Sequence, residues 1–420
     1  MAERMGFLWS QDKRLKQNVS QPLNFPGYAA SYGPAFQSCR TSCTARGPAH
    51  VPDHLMRLTA PHPETWLRSL PQGLYCEPAD LFIDPVVPVE RAAITHAHAD
   101  HARPGHGAVL ATPETLAIMK TRMGVERAAR APQPLSYGEQ ITINDVGLRM
   151  EPAGHVLGSA QIVLEWRGSR VVISGDYKRA SDPSCAIFQP VPCDVFVTEA
   201  TFALPVFRHP PAEQEIRKLF DNLTVFPERT HLVGCYALGK CQRLIMLLRQ
   251  AGWVAPIYLH GALMNVCRTY EALGVGLGDL RPVTSVPKEA LRGGIVLAPP
   301  SALADRWSRR LHDPVPVLAS GWMQVRQRAR AKGVELPLVI SDHADWDALL
   351  ATIRDVQAPE IWVTHGREEA LIHAAGLMGV RGRALRLIGY GEEDDDTAVA
   401  GGGMTGGETA GAVTTDGKSV

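Results

Sequence analysis

Between about residue 68 and residue 390, short apolar runs alternate with amphipathic segments, the pattern of an α/β protein with buried strands. Leu81–Asp84, Ala92–Thr95, Val109–Thr112, Leu148–Glu151, Ala160–Trp166, Arg170–Ser174 and Val195–Thr198 read as strands, and among them Pro113–Gly124 reads as a helix. From Pro211 the character changes. Predicted helices at Ala212–Asn222, Gly239–Ala251, Ala302–Leu311, Asp345–Val356 and Glu368–Met378 alternate with predicted strands at His231–Cys235, Ile257–His260, Ile295–Ala298, Val315–Ala319, Leu336–Ser341 and Ile361–Thr364. This regular βα alternation implies a second αβ unit.

The two ends break the pattern. Residues 1–67 are rich in Ser, Pro, Gln and Ala, and from 391 the chain turns to Gly, Thr, Asp and Glu, so both are expected to be disordered, the second as an acidic tail. Lys+Arg and Asp+Glu balance at 43 each over 420 residues, which gives no strong steering toward nucleic acid or membrane. The tail takes Glu392, Glu393, Asp394, Asp395, Asp396, Glu408 and Asp416 against Lys418, leaving a mildly basic body. No run of about 18 apolar residues and no leader pattern occurs, and eight scattered cysteines fit reduced thiols, so a cytoplasmic protein without membrane contact is expected. Cys39 and Cys43 lack a second pair nearby and are not expected to hold zinc.

Fifteen histidines change the picture because several sit at ligand spacing. Thr95-His96-Ala97-His98-Ala99-Asp100-His101 follows an apolar run directly, and so many imidazoles are costly to bury unless a metal satisfies their nitrogens. Alternate residues leaving a strand point to opposite sides, so His96 and His98 suit one ion and Asp100 and His101 a second. His155 in a Gly-rich loop, Asp176 closing Val172-Ile173-Ser174-Gly175-Asp176, and His365 closing Ile361-Trp362-Val363-Thr364-His365 complete seven donors. His96, His98 and His155 are expected on one ion, Asp100, His101 and His365 on the other, with Asp176 between. Such a set suits zinc, and also manganese or iron.

The order HxHxDH, Gly-His-Val-Leu-Gly-Ser, Ser-Gly-Asp resembles the metallo-β-lactamase fold, an αββα sandwich with a dinuclear site. Thr198-Glu199-Ala200-Thr201, Ser341-Asp342-His343-Ala344-Asp345 and Thr364-His365-Gly366 resemble the three further motifs of the β-CASP nucleases, in which a βα domain is inserted into that sandwich. The nearest subgroup is the bacterial ligase-associated DNA exonucleases, similar through Gly73–Cys76, Ile83–Pro85, Thr95–Gly105, Tyr236–Arg243, Ala298–Ser301, Ser320–Met323 and Ser341–Trp346. The resemblance implies a lactamase-like domain of 68–205 plus 336–390, a β-CASP insert of 206–335, and two divalent ions, zinc first and manganese second. It implies that Asp84 orients a ligand loop, that His343 and Glu199 supply the acid partner, and that Asp176 belongs to the catalytic set. It also implies nucleic acid as substrate, DNA before RNA, and an association with an ATP-dependent DNA ligase in DNA repair.

Substrate contacts are expected from Lys240 at a helix start, from Ser341, and from Arg306, Arg309 and Arg310 on one face of the predicted helix Ala302–Leu311. Trp307 and Trp322 read as core. Two other readings stand beside DNA exonuclease. An RNA-processing member of the same superfamily is favoured by His365, a variant more typical of RNA-directed members. A small-molecule metallo-hydrolase would share the first motifs but would need neither Glu199, nor His343, nor a large insert.

Overall fold

The computed structural model describes residues 60–385 and Leu387. The expectations for residues 1–59, Cys39 and Cys43 included, and for the tail from 391 lie outside the described residues. The sandwich begins before residue 68: Trp66 is buried and Leu67 opens a strand, because this segment caps the sandwich core.

Six strands make the first sheet in chain order: β1 (Leu67–Leu70), β2 (Gly73–Cys76), β3 (Leu81–Ile83), β4 (Arg91–Ala93), β5 (Ala108–Ala111) and β6 (Ala131–Pro134). The first three are antiparallel and the last four run parallel. A second sheet begins with β7 (Gln140–Ile143), β8 (Val146–Pro152), β9 (Ala160–Trp166), β10 (Ser169–Ile173) and β11 (Val195–Ala200). The chain then builds a third sheet, all parallel, from β12 (Thr230–Gly234), β13 (Ile257–Leu259), β14 (Leu280–Pro282), β15 (Ile295–Ala298), β16 (Pro314–Ala319) and β17 (Leu336–Leu338), in the order β14-β13-β15-β12-β16-β17. It finally returns to the second sheet with β18 (Glu360–Gly366) and β19 (Arg381–Ala384), giving the order β19-β18-β11-β10-β9-β8-β7.

Sheets one and two face each other across one core. Leu74, Ile83, Ala93 and Leu110 meet Leu148, Ile162, Val171, Val197 and Trp362, with Trp66 at the edge. Strand burial follows position: β8 alternates buried and half-buried residues, whereas β11, paired on both sides and covered on both faces, is buried throughout. The helices Trp346–Asp355 and Glu368–Leu377 cover the outer face of the second sheet through Leu349, Ile353, Leu371 and Ala375. The helix Pro113–Met123 packs Leu116 and Met119 into a separate core that it shares with the third sheet and the helices Lys240–Gln250 and Gly261–Ala272. Two sheets between helical layers are the αββα arrangement, and the third sheet with its helices is an added βα layer.

Local chemistry sets the element ends. The Thr112 hydroxyl accepts the Thr115 N–H and Pro113 takes the first helical position, a start that contributes about 1 kcal/mol. Asp345 caps Trp346–Asp355 by accepting the Ala348 N–H. One expected helix is absent: Ala302–Leu311 folds as two short 3-10 turns, Pro300–Leu303 and Ser308–Arg310, with hydrogen bonds three residues apart, because Pro299-Pro300 starts the segment and Asp305 draws Ser308 into a tight turn. Arg306, Arg309 and Arg310 therefore do not share a helix face, although all three are exposed. The strand expected to reach Ser341 ends at Leu338, which frees Ser341–His343 to turn. No helix among the described residues is long and apolar enough to cross a membrane.

Candidate metal centre and its acid partner

Four loops leave the ends of β3, β4, β8 and β10 toward one point. Asp84, just past β3 in the left-handed region at φ 43°, accepts the Thr95 N–H at 2.8 Å, the Thr95 hydroxyl at 2.5 Å and the His101 Nδ1–H at 2.7 Å. One carboxylate thereby fixes both ends of the histidine loop. His155 sits in a turn tied by the Ser159 hydroxyl, which accepts the His155 and Val156 N–H groups. Gly158 in that turn has φ 81°, and a Cβ there would lie 2.6 Å from the Thr115 nitrogen, so glycine is required for the loop to press against the helix start.

The rings converge. The Nδ1 of His98 faces the Nε2 of His96 at 3.1 Å and the Nε2 of His155 at 2.9 Å. Asp176 Oδ2 lies 3.4 Å from His96 Nε2, 3.4 Å from His101 Nε2 and 3.8 Å from His155 Nε2. His365, at φ 59° on β18, places its ring centroid 5.3 Å from that of His101. Donor atoms of His96, His98, His155 and Asp176 all lie within 4.8 Å of one another, as do those of His101, Asp176 and His365. Asp100 stands at the rim, its Oδ2 3.7 Å from His101 Nε2.

This donor set fits divalent cations. The far nitrogen of each ring in the first group already has a partner: Thr95 Oγ1 for His96 at 3.1 Å, the Leu238 carbonyl for His98 at 3.2 Å and the Asp342 carbonyl for His155 at 2.9 Å. The near nitrogens are thus presented as lone pairs, and three lone pairs with a carboxylate oxygen repel one another unless a cation lies between them. The protonation pattern agrees. Burial pushes His96 well below the ordinary imidazole range, and burial with the charge on His101 brings His365 down to about 4. Burial also opposes charge on His101, but Asp176 and Asp100 lift it well above that range, and His101 in turn holds the buried Asp176 carboxyl well below its own.

Beside Asp176 lies a second device. Glu199, in β11 and fully buried, accepts the Tyr177 N–H at 2.7 Å, the Thr201 hydroxyl at 2.5 Å and the His343 Nδ1–H at 2.9 Å. Burial raises the Glu199 carboxyl while His343 opposes the rise. The His343 ring centroid is 4.7 Å from that of His155, and donor atoms of Asp176, Glu199 and His343 form a third group within 4.8 Å.

No family model matches the chain. It is 28% identical over 309 residues to a protein of Opitutus terrae named a probable DNA ligase, covering 72% of this chain and 29% of that one. It is 29% identical over 161 residues to cleavage and polyadenylation specificity factor subunit 3 of Dictyostelium discoideum, covering 35% of this chain and 20% of that one. With a ribonuclease of Thermus thermophilus it shares 26% identity over 386 residues, 72% of this chain and 87% of that one. The chain thus spans less than a third of the length of the first two relatives. A crystal structure of a protein of unknown function from Enterococcus faecalis matches the fold with a TM-score of 0.50 at 12% identity, covering 71% of this chain and 79% of that one. These relatives, with the fold and the order of the motifs, are consistent with a β-CASP nuclease of the metallo-β-lactamase fold.

The expected substrate contacts fall in different places. Lys240 does open a helix after Gly239, but its side chain is 3% exposed and its Nζ lies 3.0 Å from Asp342 Oδ2, so the ammonium is committed to a carboxylate. The Ser341 hydroxyl accepts the His343 N–H at 3.0 Å and shapes that turn. Trp322 packs against Phe202 and Phe207 with Arg328 over its outer face, and Trp307 lies edge-on to His260.

Sequence reasoning missed Lys178, Asp182, Arg243 and Asp342, which form a buried charged cluster under the His343 turn. Arg243 and Asp342 stood inside motifs already noticed, and polar residues within an apolar surrounding were the available signal. The Leu238 carbonyl that orients His98 leaves no trace in side-chain identity.

Proposed function

We propose that this protein is a dinuclear metal-dependent phosphodiesterase acting on DNA, an exonuclease working beside an ATP-dependent DNA ligase. The observation that carries this reading is the third group: a buried carboxylate–imidazole pair, Glu199–His343, set against the carboxylate shared by two histidine clusters. A lactonase or lactamase needs no such acid, whereas a phosphodiester leaves as an alkoxide that must be protonated. We further propose that the third sheet and its helices are the β-CASP insert, within residues 206–335, carried on a sandwich of 68–205 plus 336–390.

Two divalent ions, held by His96, His98 and His155 on one side and by Asp100, His101 and His365 on the other with Asp176 between, would supply Lewis acidity toward a water and a phosphoryl group. The chain's own residues do the rest. Asp84 holds His101 in the tautomer that presents Nε2, the Asp342 carbonyl does the same for His155, and the Leu238 carbonyl holds His98 in the tautomer that presents Nδ1. Glu199 anchors His343 through Nδ1, leaving Nε2 to hand a proton to the departing oxygen, and the buried carboxylate steadies the imidazolium in waiting. DNA is favoured by the match over 72% of the chain to the protein named a probable DNA ligase. RNA is the second reading, favoured by the match to the Thermus ribonuclease. Protein supplied with zinc or manganese and given DNA and RNA labelled at either end should release mononucleotides or short products from a DNA end first. Internal first cuts in RNA, with DNA untouched, would replace this reading by the second.

Zinc affinity should climb as pH rises above 6.5. His96 and His365 are neutral near pH 7 and give up nothing, whereas His101 holds a proton that must leave before its Nε2 can act as a donor, so binding should release about one proton per chain. Calorimetry in buffers of different ionisation enthalpy counts that proton. A flat affinity between pH 6 and 8 would remove His101 from the donor set.

A further inference from the structure

We propose that Asp342 is a positioning residue through which the insert sets the geometry of the candidate metal centre: its carboxylate fastens the Ser341–His343 turn to Lys240 and Arg243 of the insert helix, and its main-chain carbonyl fixes the ring of His155. This rests on the two-ion reading above. The Asp342 side chain is 3% exposed, with Oδ2 3.0 Å from Lys240 Nζ and Oδ1 3.3 Å from Arg243 NH1, so both oxygens are engaged from the same helix. The adjacent Ser341 carbonyl accepts Lys178 Nζ at 2.8 Å and also Arg243, whose Nε lies 3.4 Å from Asp182. Three basic side chains and two carboxylates thus close on a three-residue turn, and that turn carries His343 and accepts His155 Nδ1–H at 2.9 Å.

Burying five ionisable groups is expensive when neutral hydrogen bonds could hold a turn, and such a lock is kept where one arrangement must be enforced. What it enforces here is visible from the other side. The same insert loop that delivers Lys240 supplies the Leu238 carbonyl to His98. Gly239 between them has φ 82°, and a Cβ there would run into Val156, next to His155. His98 therefore takes its orientation from the insert directly and His155 takes it through the Asp342 carbonyl, whose residue the insert helix holds, whereas the His101 ring of the second group is set by Asp84. The insert is part of the first ion's site.

The test is zinc competition against a chromophoric chelator, on the full chain, for wild type, Asp342→Asn, Lys240→Met and Lys240→Arg, with melting of the chelator-treated proteins as a check on folding. Wild type should bind two zinc ions. Asp342→Asn and Lys240→Met should weaken one by roughly 10–100-fold, the usual cost of losing an outer partner, and leave the other unchanged, with Lys240→Arg near wild type. Two unchanged affinities in Asp342→Asn, or equal weakening of both ions, would overturn the proposal. So would a Lys240→Met variant with intact zinc binding and a raised KM for DNA, the signature of a substrate contact. If Asp342→Asn fails to fold, the two Lys240 variants decide, since Arg243 still balances Asp342 in both. Wild type that binds neither zinc nor manganese would instead defeat the two-ion reading itself.

Discussion

Replacing Asp176 by alanine is expected to strip both ions from the protein and to lower phosphodiester hydrolysis by more than about 10³-fold, beyond the loss from deleting a single donor in a preorganised site. Asp176 Oδ2 is near-equidistant from His96 and His101, which belong to different histidine groups, so its removal opens both at once. It also removes the foremost of the anions that keep His101 protonated against its burial. A stranded imidazolium would cost several kcal/mol, but the ring can shed its proton, so the metal-free variant should melt only modestly below metal-free wild type near pH 7 and further below it in acid. The sign follows from the raised value of His101: the stabilisation from its pairing is fully present below pH 6.5, its ordinary value, and is lost as pH rises through the folded value. Metal per chain by elemental analysis, alongside the rate, decides the matter. Retention of one tightly held ion would place Asp176 on a single ion and not between two.

The second large effect belongs to His343. His343→Ala should keep both ions and the affinity for DNA yet lose roughly 10²–10⁴-fold in rate, the scale of a positioned acid. The defect should shrink on a nitrophenyl phosphodiester, because nitrophenolate departs without a proton while every other demand stays the same. Glu199→Gln should behave as a milder form for a reason that can be followed atom by atom. The Glu199 side chain receives three hydrogen bonds and has no solvent contact. A glutamine there must turn its NH2 either toward the Tyr177 N–H, donor against donor, or toward Thr201 and His343 together, and an amide facing His343 makes Nδ1 an acceptor and disfavours the imidazolium. Equal losses on both substrates, or loss of metal from the His343 variant, would make His343 structural or a ligand.

The parts of this molecule that a sequence reader could see are those where local pattern and tertiary demand agree. Ala160–Trp166 and Ile295–Ala298 are legible to the residue because apolar runs of that length, bounded by polar or glycine neighbours, fit strands covered on both faces. The clustered donors at strand ends were visible because histidine and aspartate in apolar surroundings have few other uses. The helix Gly261–Ala272 was missed although Leu263, Val266, Cys267 and Tyr270 carry the helical period. The 302–311 segment went the other way, with periodic residues overruled by two prolines and an Asp-Ser turn. Lys240 shows the deeper limit. Its own neighbourhood describes a cation at a helix start, and only a carboxylate about a hundred positions later in the chain turns it into one arm of a buried lock.

The ladder between β11 and β18 bears on how this protein comes to exist. The two strands run parallel, Val195 beside Glu360 and Ala200 beside Gly366, although the whole third sheet lies between them in the chain. A contact that closes so long a loop gains nothing until the loop has ordered itself, so this pairing belongs late in assembly. During synthesis His96 to Asp176 emerge well before His343 and His365, and for that interval a half-built cage of imidazoles is open to any ion in the surrounding pool. If these donors hold the two ions proposed above, the order in which the chain leaves the ribosome would bear on which metal is captured first, a kinetic choice that equilibrium affinities do not record.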